Sequence, residues 1–501
     1  MATEIKIDPI TRIEGHLGIK ATVDQGKVVE AYCESTMFRG FENIMVGRDP
    51  RDAPVLTQRI CGVCHQSHRI AGTRALEDAA KVEVTDAARV TRNLIEAITT
   101  LYSHALWFYV LGGPDYSDAV TKSGLKRLDP ITGAGYREAV ENQRILHEAL
   151  AILGGKVPHQ MTYIHGGLTY VPTVEQIVRI LTRVAQVSEW VGKTSDLPAV
   201  LEDKLAGKPN DYSKGYVLND VVDWAVFALK DKAETWGVGH GKYISYGCYD
   251  MADGSFFEPR GVWDGSKVIP LDEKVITEYV KYSWYTSDSG GMATRDAPPP
   301  RPDKEKSGAY TWAKGTRYGT MPTEGGPLAR LAIMSALGNP LGDPFDLRRD
   351  LGGGATKAST FNRTLARLQE ALVLRDKIVD WLEELKDLAN KPTWVDFKVP
   401  KEEVLGVGLW EAPRGPVGHW TKLKGGKIER YQVIAGTSWN ACSRDDNGVR
   451  GPMEEALINV PVPDIKSPIN VVRVIRSYDP CLACTVHVLT PKGQKYSMQV
   501  T

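Results

Sequence analysis

Two Cys-x-x-Cys pairs stand near opposite ends of the chain, Cys61-Gly62-Val63-Cys64 and Cys481-Leu482-Ala483-Cys484, with Cys64 and Cys481 417 positions apart. Each pair is followed within a few residues by a histidine, His68 and His487. Two residues between cysteines let both sulfurs turn inward on one tight bend, so each pair can grip one metal. If both pairs serve one site, the fold must carry the far ends of the polypeptide to a single point. That requirement predicts one interwoven domain over residues 1–501 rather than separable modules.

The chain has 501 residues, enough to bury a large core, and seven cysteines. An odd, sparse count argues against a disulfide framework, and Cys33, Cys248 and Cys442 read as small buried hydrophobes. A formal net charge of +0 gives no electrostatic case for nucleic acid or an anionic membrane. The longest apolar runs read as too short for a membrane span, and the N-terminus lacks a secretory leader. A bound partner carrying the export signal would make that absence uninformative.

The pattern predicts an α+β fold, predominantly α, with a central bundle of long helices and peripheral β-hairpins and small sheets. Leu17, Ile19, Ala21 and Val23 alternate, and Asp24-Gln25-Gly26-Lys27 reads as a turn into a second strand. Helical spacing marks 71–80, 86–111, 135–153, 173–192, opened by a Thr173/Gln176 capping box, and 361–388. Residues 206–330 look irregular, with Pro298–Pro302 an exposed loop. Hairpin signals return over 404–434 around Gly425-Gly426.

Four thiolates in two pairs suit structural zinc, a redox or catalytic metal site, or an iron–sulfur cluster, and affinity order does not choose among them. Zinc ribbons separate their pairs by about 15–20 residues, unlike this chain. His68, one helical turn beyond Cys64, can place its ring beside the thiolates as a hydrogen-bond donor. Its bland reading is a solvated loop histidine. Arg12-Ile13-Glu14-Gly15-His16 and Phe38-Arg39-Gly40-Phe41-Glu42 each set a carboxylate near a glycine that permits close backbone approach. Ala412-Pro413-Arg414-Gly415 offers a guanidinium on a rigid turn. Ordinary surface charges are the alternative for all three.

Arg59-Ile60-Cys61-Gly62-Val63-Cys64-x3-His68 and Asp479-Pro480-Cys481-x2-Cys484-x2-His487 together resemble the signature pair of the large subunit of nickel–iron hydrogenases. The likeness extends through Ile10–His16, Phe38–Glu42, Gly154–Lys156 with Pro158-His159, Glu324–Arg330, Ala412–Gly415 and Thr437–Asn440. It implies a Ni–Fe centre, with Cys61 and Cys481 binding nickel terminally and Cys64 and Cys484 bridging nickel to an iron that carries CN and CO. Arg414, Pro413 and Thr437 match positions around those diatomic ligands, Arg414 also matches the residue that helps polarise H2, and Asp479 would stand just outside the metal ligands. Glu14 matches the proton gate beside the second pair's bridging cysteine, Cys484, with Cys481 as a first base, and His68 matches a donor to that same bridging sulfur. Glu42, His487 and the Val433 backbone carbonyl match a magnesium (or iron) site. Ser103 stands where many members carry an Asp.

The implied activity is heterolytic cleavage of H2, which needs an electrophilic metal and a nearby base. No spare cysteine set remains for clusters, so the electrons require an iron–sulfur small subunit. A maturation endopeptidase removing 488–501, nickel-insertion chaperones, and a membrane cytochrome or other electron acceptor follow from the likeness. So does a periplasmic, membrane-associated location through a signal-bearing small subunit, with a cytoplasmic one the alternative. A regulatory H2 sensor, the quinone-site subunit of respiratory complex I and a structural zinc protein with four cysteine ligands are the competing readings.

Overall fold

In the computed structural model, residues 2–170 and 172–482 are described. Cys484, His487 and the tail 488–501 lie outside the described residues. Strands β1 (Thr3–Ile7), β2 (Leu17–Asp24) and β3 (Lys27–Ser35) form an antiparallel sheet in that order. The alternating Leu17, Ile19, Ala21 and Val23 are buried, and Gln25 and Gly26, both at positive φ, make the tight turn.

The long helices follow the 3.6-residue period. Helix α1 (His65–Ala80) begins six residues earlier than the apolar pattern suggested, because Cys64 serves as its N-cap. Helices α2 (Asp86–Leu106), α3 (Ala134–Gly154) and α4 (Val174–Val191) follow, and Thr173 and Gln176 form the expected capping box on α4. Helix α2 passes into a π-helical turn over Trp107–Gly112, so the predicted helix to residue 111 changes its winding near the end.

Over 206–330, read as irregular, the chain forms helix α5 (Tyr216–Lys230) and a sheet of β4 (Tyr243–Asp250) and β5 (Phe256–Trp263). Helix α5 buries Val217, Leu218, Val221, Val222, Trp224, Ala225 and Ala228, a face so broad that its apolar run shows little periodicity. Pro298–Pro302 is not a free loop: Pro300 is buried and its carbonyl accepts from Asn43 Nδ2 at 3.0 Å. Helix α6 (Pro327–Ala336) and the long α7 (Thr360–Asp387) come next. Helices α2, α3, α4 and α7 pack in a closed ring, α7 touching both α2 and α4, which is the expected bundle. The segment Asp86–Thr121 is long and apolar enough to cross a membrane, contrary to the sequence reading, but 83% of its apolar window is buried. As the central helix of the bundle it is apolar because it is enclosed on several sides.

The C-terminal third supplies a further antiparallel sheet, β6 (Val404–Ala412), β7 (Gly415–Lys424) and β8 (Lys427–Ile434), followed by helix α8 (Ile469–Ser477). This sheet presses against α1 through two glycines. A Cβ on Gly406 would lie 1.9 Å from the Ala75 carbonyl oxygen, and one on Gly408 1.9 Å from that of Ala71. The close approach lets the helix behind Cys64 and the strand ending before Arg414 share one corner. Gly408→Val is therefore expected to force α1 off β6, costing about 3 kcal/mol or more. The check is soluble yield and thermal midpoint; an unchanged midpoint would contradict the packing.

Candidate metal centre

Cys61 and Cys481 come from opposite ends of the chain, yet their Sγ atoms lie 3.3 Å apart. With Cys64 they form a buried group whose sulfurs all lie within 4.8 Å of one another. The Val63 and Cys64 amides point at Cys61 Sγ, at 3.2 and 3.5 Å, and Cys64 sits at the N-terminus of α1. Amide hydrogens and the positive end of a helix both favour thiolate over thiol. The Cys481 amide donates to Thr437 Oγ1 at 2.9 Å.

Glu14 is brought to the same place by backbone pairing. It forms a parallel bridge with Cys481, its amide donating to the Pro480 carbonyl at 3.2 Å and its carbonyl accepting from the Leu482 amide at 2.7 Å. Burial raises the Glu14 carboxyl, the Cys61 thiolate adds to this, and Arg414 and Arg39 oppose it. Glu14, Val63, His65, Ser103, His147 and Arg414 are among the residues lining one cavity of about 240 Å³ against the Gly62-Val63 turn between Cys61 and Cys64. Ser103 Oγ is buried with no hydrogen-bond partner among the described residues.

Arg414 is 4% exposed and its Nε lies 3.0 Å from Asp479 Oδ2, an ion pair off the N–H axis. Burial pulls its basicity down, but Asp479 and the thiolates of Cys481, Cys64 and Cys61 outweigh that and keep it a cation. Its Nη1 has no partner among the described residues. Asp479 itself takes a positive φ of 51°, at the turn into Cys481. Pro413 is buried beside Arg414, and its carbonyl accepts from Arg330 Nη2 at 3.3 Å.

Burial pushes the His68 ring down to about 4, and its Nδ1 meets His419 Nε2 at 3.1 Å rather than a described sulfur. Glu42 stands apart from this group. It is buried, with Oε2 unpartnered among the described residues, and burial raises its carboxyl to about 7. Its short helix, Phe41–Met45, packs on β8, the strand that holds Val433.

One feature had no sequence signal. Arg330 on α6 is buried among three carboxylates, bonding Glu370 at 2.8 and 2.7 Å and Glu411 at 2.8 Å, with Glu258 at 3.1 Å. The same guanidinium bonds the Ala412 carbonyl at 3.0 Å, so it holds the turn that presents Arg414. Removing it would strand buried carboxylates. Arg330→Met is expected to cost about 3–5 kcal/mol, seen as a lower thermal midpoint or lost soluble protein, with Arg330→Lys intermediate because lysine cannot fork. Full stability of Arg330→Met would refute this.

Three buried soft donors, with buried Arg414 Nη1 and His68 Nε2 lacking described partners, fit a thiolate-bound metal group bearing further polar ligands. A family profile described as nickel-dependent hydrogenase matches residues 39–129 and 127–487, and a HoxL-like profile matches 4–37. The periplasmic [NiFeSe] hydrogenase large subunit of Desulfomicrobium baculatum is 38% identical, over 97% of this chain and 95% of that protein. The uptake hydrogenase large subunit of Rhizobium leguminosarum bv. viciae is 30% identical over 98% and 96%. Among solved structures, the reduced Ni-Fe-Se hydrogenase of D. vulgaris Hildenborough superposes with a TM-score of 0.83 at 36% identity, covering 97% of this chain and all of that one. The chain belongs to the nickel-dependent hydrogenase family. Within it, this chain is a large subunit, and its class is that of oxidoreductases acting on H2.

Proposed function

We propose that Cys61, Cys64, Cys481 and Cys484 hold a Ni–Fe centre, Cys61 and Cys481 terminal on nickel and Cys64 and Cys484 bridging, in one interwoven domain spanning residues 1–501. The observation that carries this is the meeting of three buried sulfurs from both ends of the chain beneath a buried arginine. When bound, the metal pair supplies an electrophilic centre that polarises dihydrogen. The surrounding residues then do three jobs. Arg414, fixed by Asp479 and backed by Pro413, has an unpartnered Nη1 that would be available to the CN and CO carried by the iron and to H2 held there. Cys481 Sγ accepts the proton and passes it to Glu14, whose backbone is paired with its own. A carboxyl raised by burial takes and gives a proton near neutral pH more readily than a surface carboxyl. Thr437 anchors the Cys481 amide, and the buried His68 Nε2, without a partner among the described residues, would donate to the bridging sulfur of Cys484.

Glu42, His487 and the Val433 carbonyl are proposed to hold magnesium (or iron); the orphaned, buried Glu42 oxygen supports this. The tail 488–501 is proposed to be removed by an endopeptidase after chaperones deliver nickel, a reading supported by the family match running to residue 487. Electrons pass to an iron–sulfur small subunit and on to a membrane cytochrome or other acceptor, with the pair periplasmic and membrane-associated; relatives named periplasmic and uptake hydrogenases support the direction and place. The test is infrared spectroscopy of the purified two-subunit protein. Bands of metal-bound CO and CN are expected; their absence from the anaerobically purified protein would return structural zinc to first place.

A further inference from the structure

A buried chain of hydrogen bonds runs from His68, near the Cys61 thiolate, into the C-terminal sheet of β6–β8. His68 Nδ1 lies 3.1 Å from His419 Nε2, and His419 Nδ1 lies 2.7 Å from the Tyr431 hydroxyl. His68 and His419 are 0% exposed, as is Tyr431. His419 on β7 and Tyr431 on β8 sit on adjacent strands, and the chain reaches across to α1. Room for it is made by Gly72, one turn beyond His68. A Cβ there would stand 3.0 Å from Thr57 Oγ1, 3.3 Å from the Tyr431 oxygen and 3.4 Å from His419 Nδ1. The remaining nitrogen, His68 Nε2, is buried with no partner among the described residues.

An N···N contact between two imidazoles needs one nitrogen protonated and the other bare. The three groups therefore have two consistent orders. In the first, the Tyr431 hydroxyl donates to His419 Nδ1, His419 Nε2–H donates to His68 Nδ1, and His68 carries its proton on Nε2. The reverse order runs from His68 Nδ1–H through His419 to the phenol oxygen and leaves His68 Nε2 a bare acceptor. A thiolate is an acceptor, so only the first order gives His68 a donor to offer it from a neutral ring.

We propose that Tyr431 and His419 are positioning residues that set the tautomer of His68, the phenol hydroxyl being the donor at the head of the chain. The proposal rests on the reading that His68 Nε2 faces the bridging thiolate. Acting through His68, the two residues govern how much electron density that sulfur passes to the metals. Groups at this remove from a metal typically change affinity or activity by about 10–100-fold when altered.

The experiment uses the purified two-subunit enzyme, assayed for metal content, infrared bands of CO and CN, and H2 oxidation. Tyr431→Phe keeps the ring but removes the head donor. It is expected to retain its metals, shift the CO and CN bands and lose about tenfold in kcat. His419→Gln places an amide N–H where Nε2–H stood, so His68 keeps its donor without help from the phenol. In that background Tyr431→Phe is expected to move neither bands nor kcat further. A packing role for Tyr431 predicts the same loss in both backgrounds, which would overturn the proposal, as would unshifted bands in Tyr431→Phe alone. Should Tyr431→Phe not fold, His419→Gln is compared with His419→Met, and equal spectra overturn it. Wild-type protein with no such bands would instead refute the Ni–Fe reading, so the two failures are separable.

Discussion

Cys481→Ser is expected to leave a folded protein that holds no nickel and turns over no measurable H2. The sulfur lies 3.3 Å from Cys61 Sγ, and its backbone is already held by Glu14, Thr437 and the turn at Asp479, so the substitution need not disturb the fold. Serine changes only the donor. Its hydroxyl is a hard group that stays protonated at neutral pH, whereas nickel in such a set is selected by soft thiolates. Metal analysis should find nickel near zero, and H2-dependent dye reduction should be at background. Near-stoichiometric nickel in Cys481→Ser would remove this residue from the ligand set.

Glu14→Gln is expected to separate metal binding from proton transfer. Glutamine preserves shape and backbone pairing but cannot take a proton, so nickel content and infrared bands should match the wild type. H2 oxidation and H/D exchange should both fall, by about 10²–10⁴-fold for loss of a positioned acid–base group. Glu14→Asp keeps the carboxyl at shorter reach and should fall between. Glu14 lines the cavity and its backbone pairs with Cys481, which puts a proton-accepting carboxyl between the sulfurs and that cavity's other walls. Wild-type turnover in Glu14→Gln would send the proton elsewhere.

The parts of this molecule that were legible in the sequence are those governed by local rules. Apolar spacing located α2, α3, α4 and α7, whose broad stripes face one core, and the Gly425-Gly426 turn between β7 and β8 is where the hairpin signal put it. The Cys motifs carried the convergence of both chain ends, because a single four-sulfur site needs both pairs. Helix α5 and the β4–β5 sheet went unseen, since an element buried on most sides loses its periodic signature. The boundary of α1 was missed because its cap is a cysteine, not one of the residues that usually announce a helix start.

Within the site, Glu14 and Arg414 stood out as a carboxylate and a guanidinium beside permissive glycines, but their roles, and Asp479 and Thr437 altogether, were readable only through motif likeness, and the fold gathers them around the sulfurs. His68, expected beside the thiolates, lies within electrostatic reach of Cys61, and its Nδ1 is taken up by His419. The carboxylates gathered around Arg330, though Arg330 itself closes the Glu324–Arg330 likeness, and the His419–Tyr431 chain have no sequence signature. Each joins residues far apart in sequence, from Glu258 to Glu411 and from His68 to Tyr431, and such pairings exist only once the sheet has docked on α1.

Whether these cysteines hold two unlike metals at one point is tested most directly by anomalous diffraction. Crystals of the anaerobically purified two-subunit enzyme would be measured at the nickel, iron and zinc edges. Adjoining nickel and iron peaks among Cys61, Cys64 and Cys481 are expected. A single peak at the zinc edge, or no metal peak among these sulfurs, would contradict it.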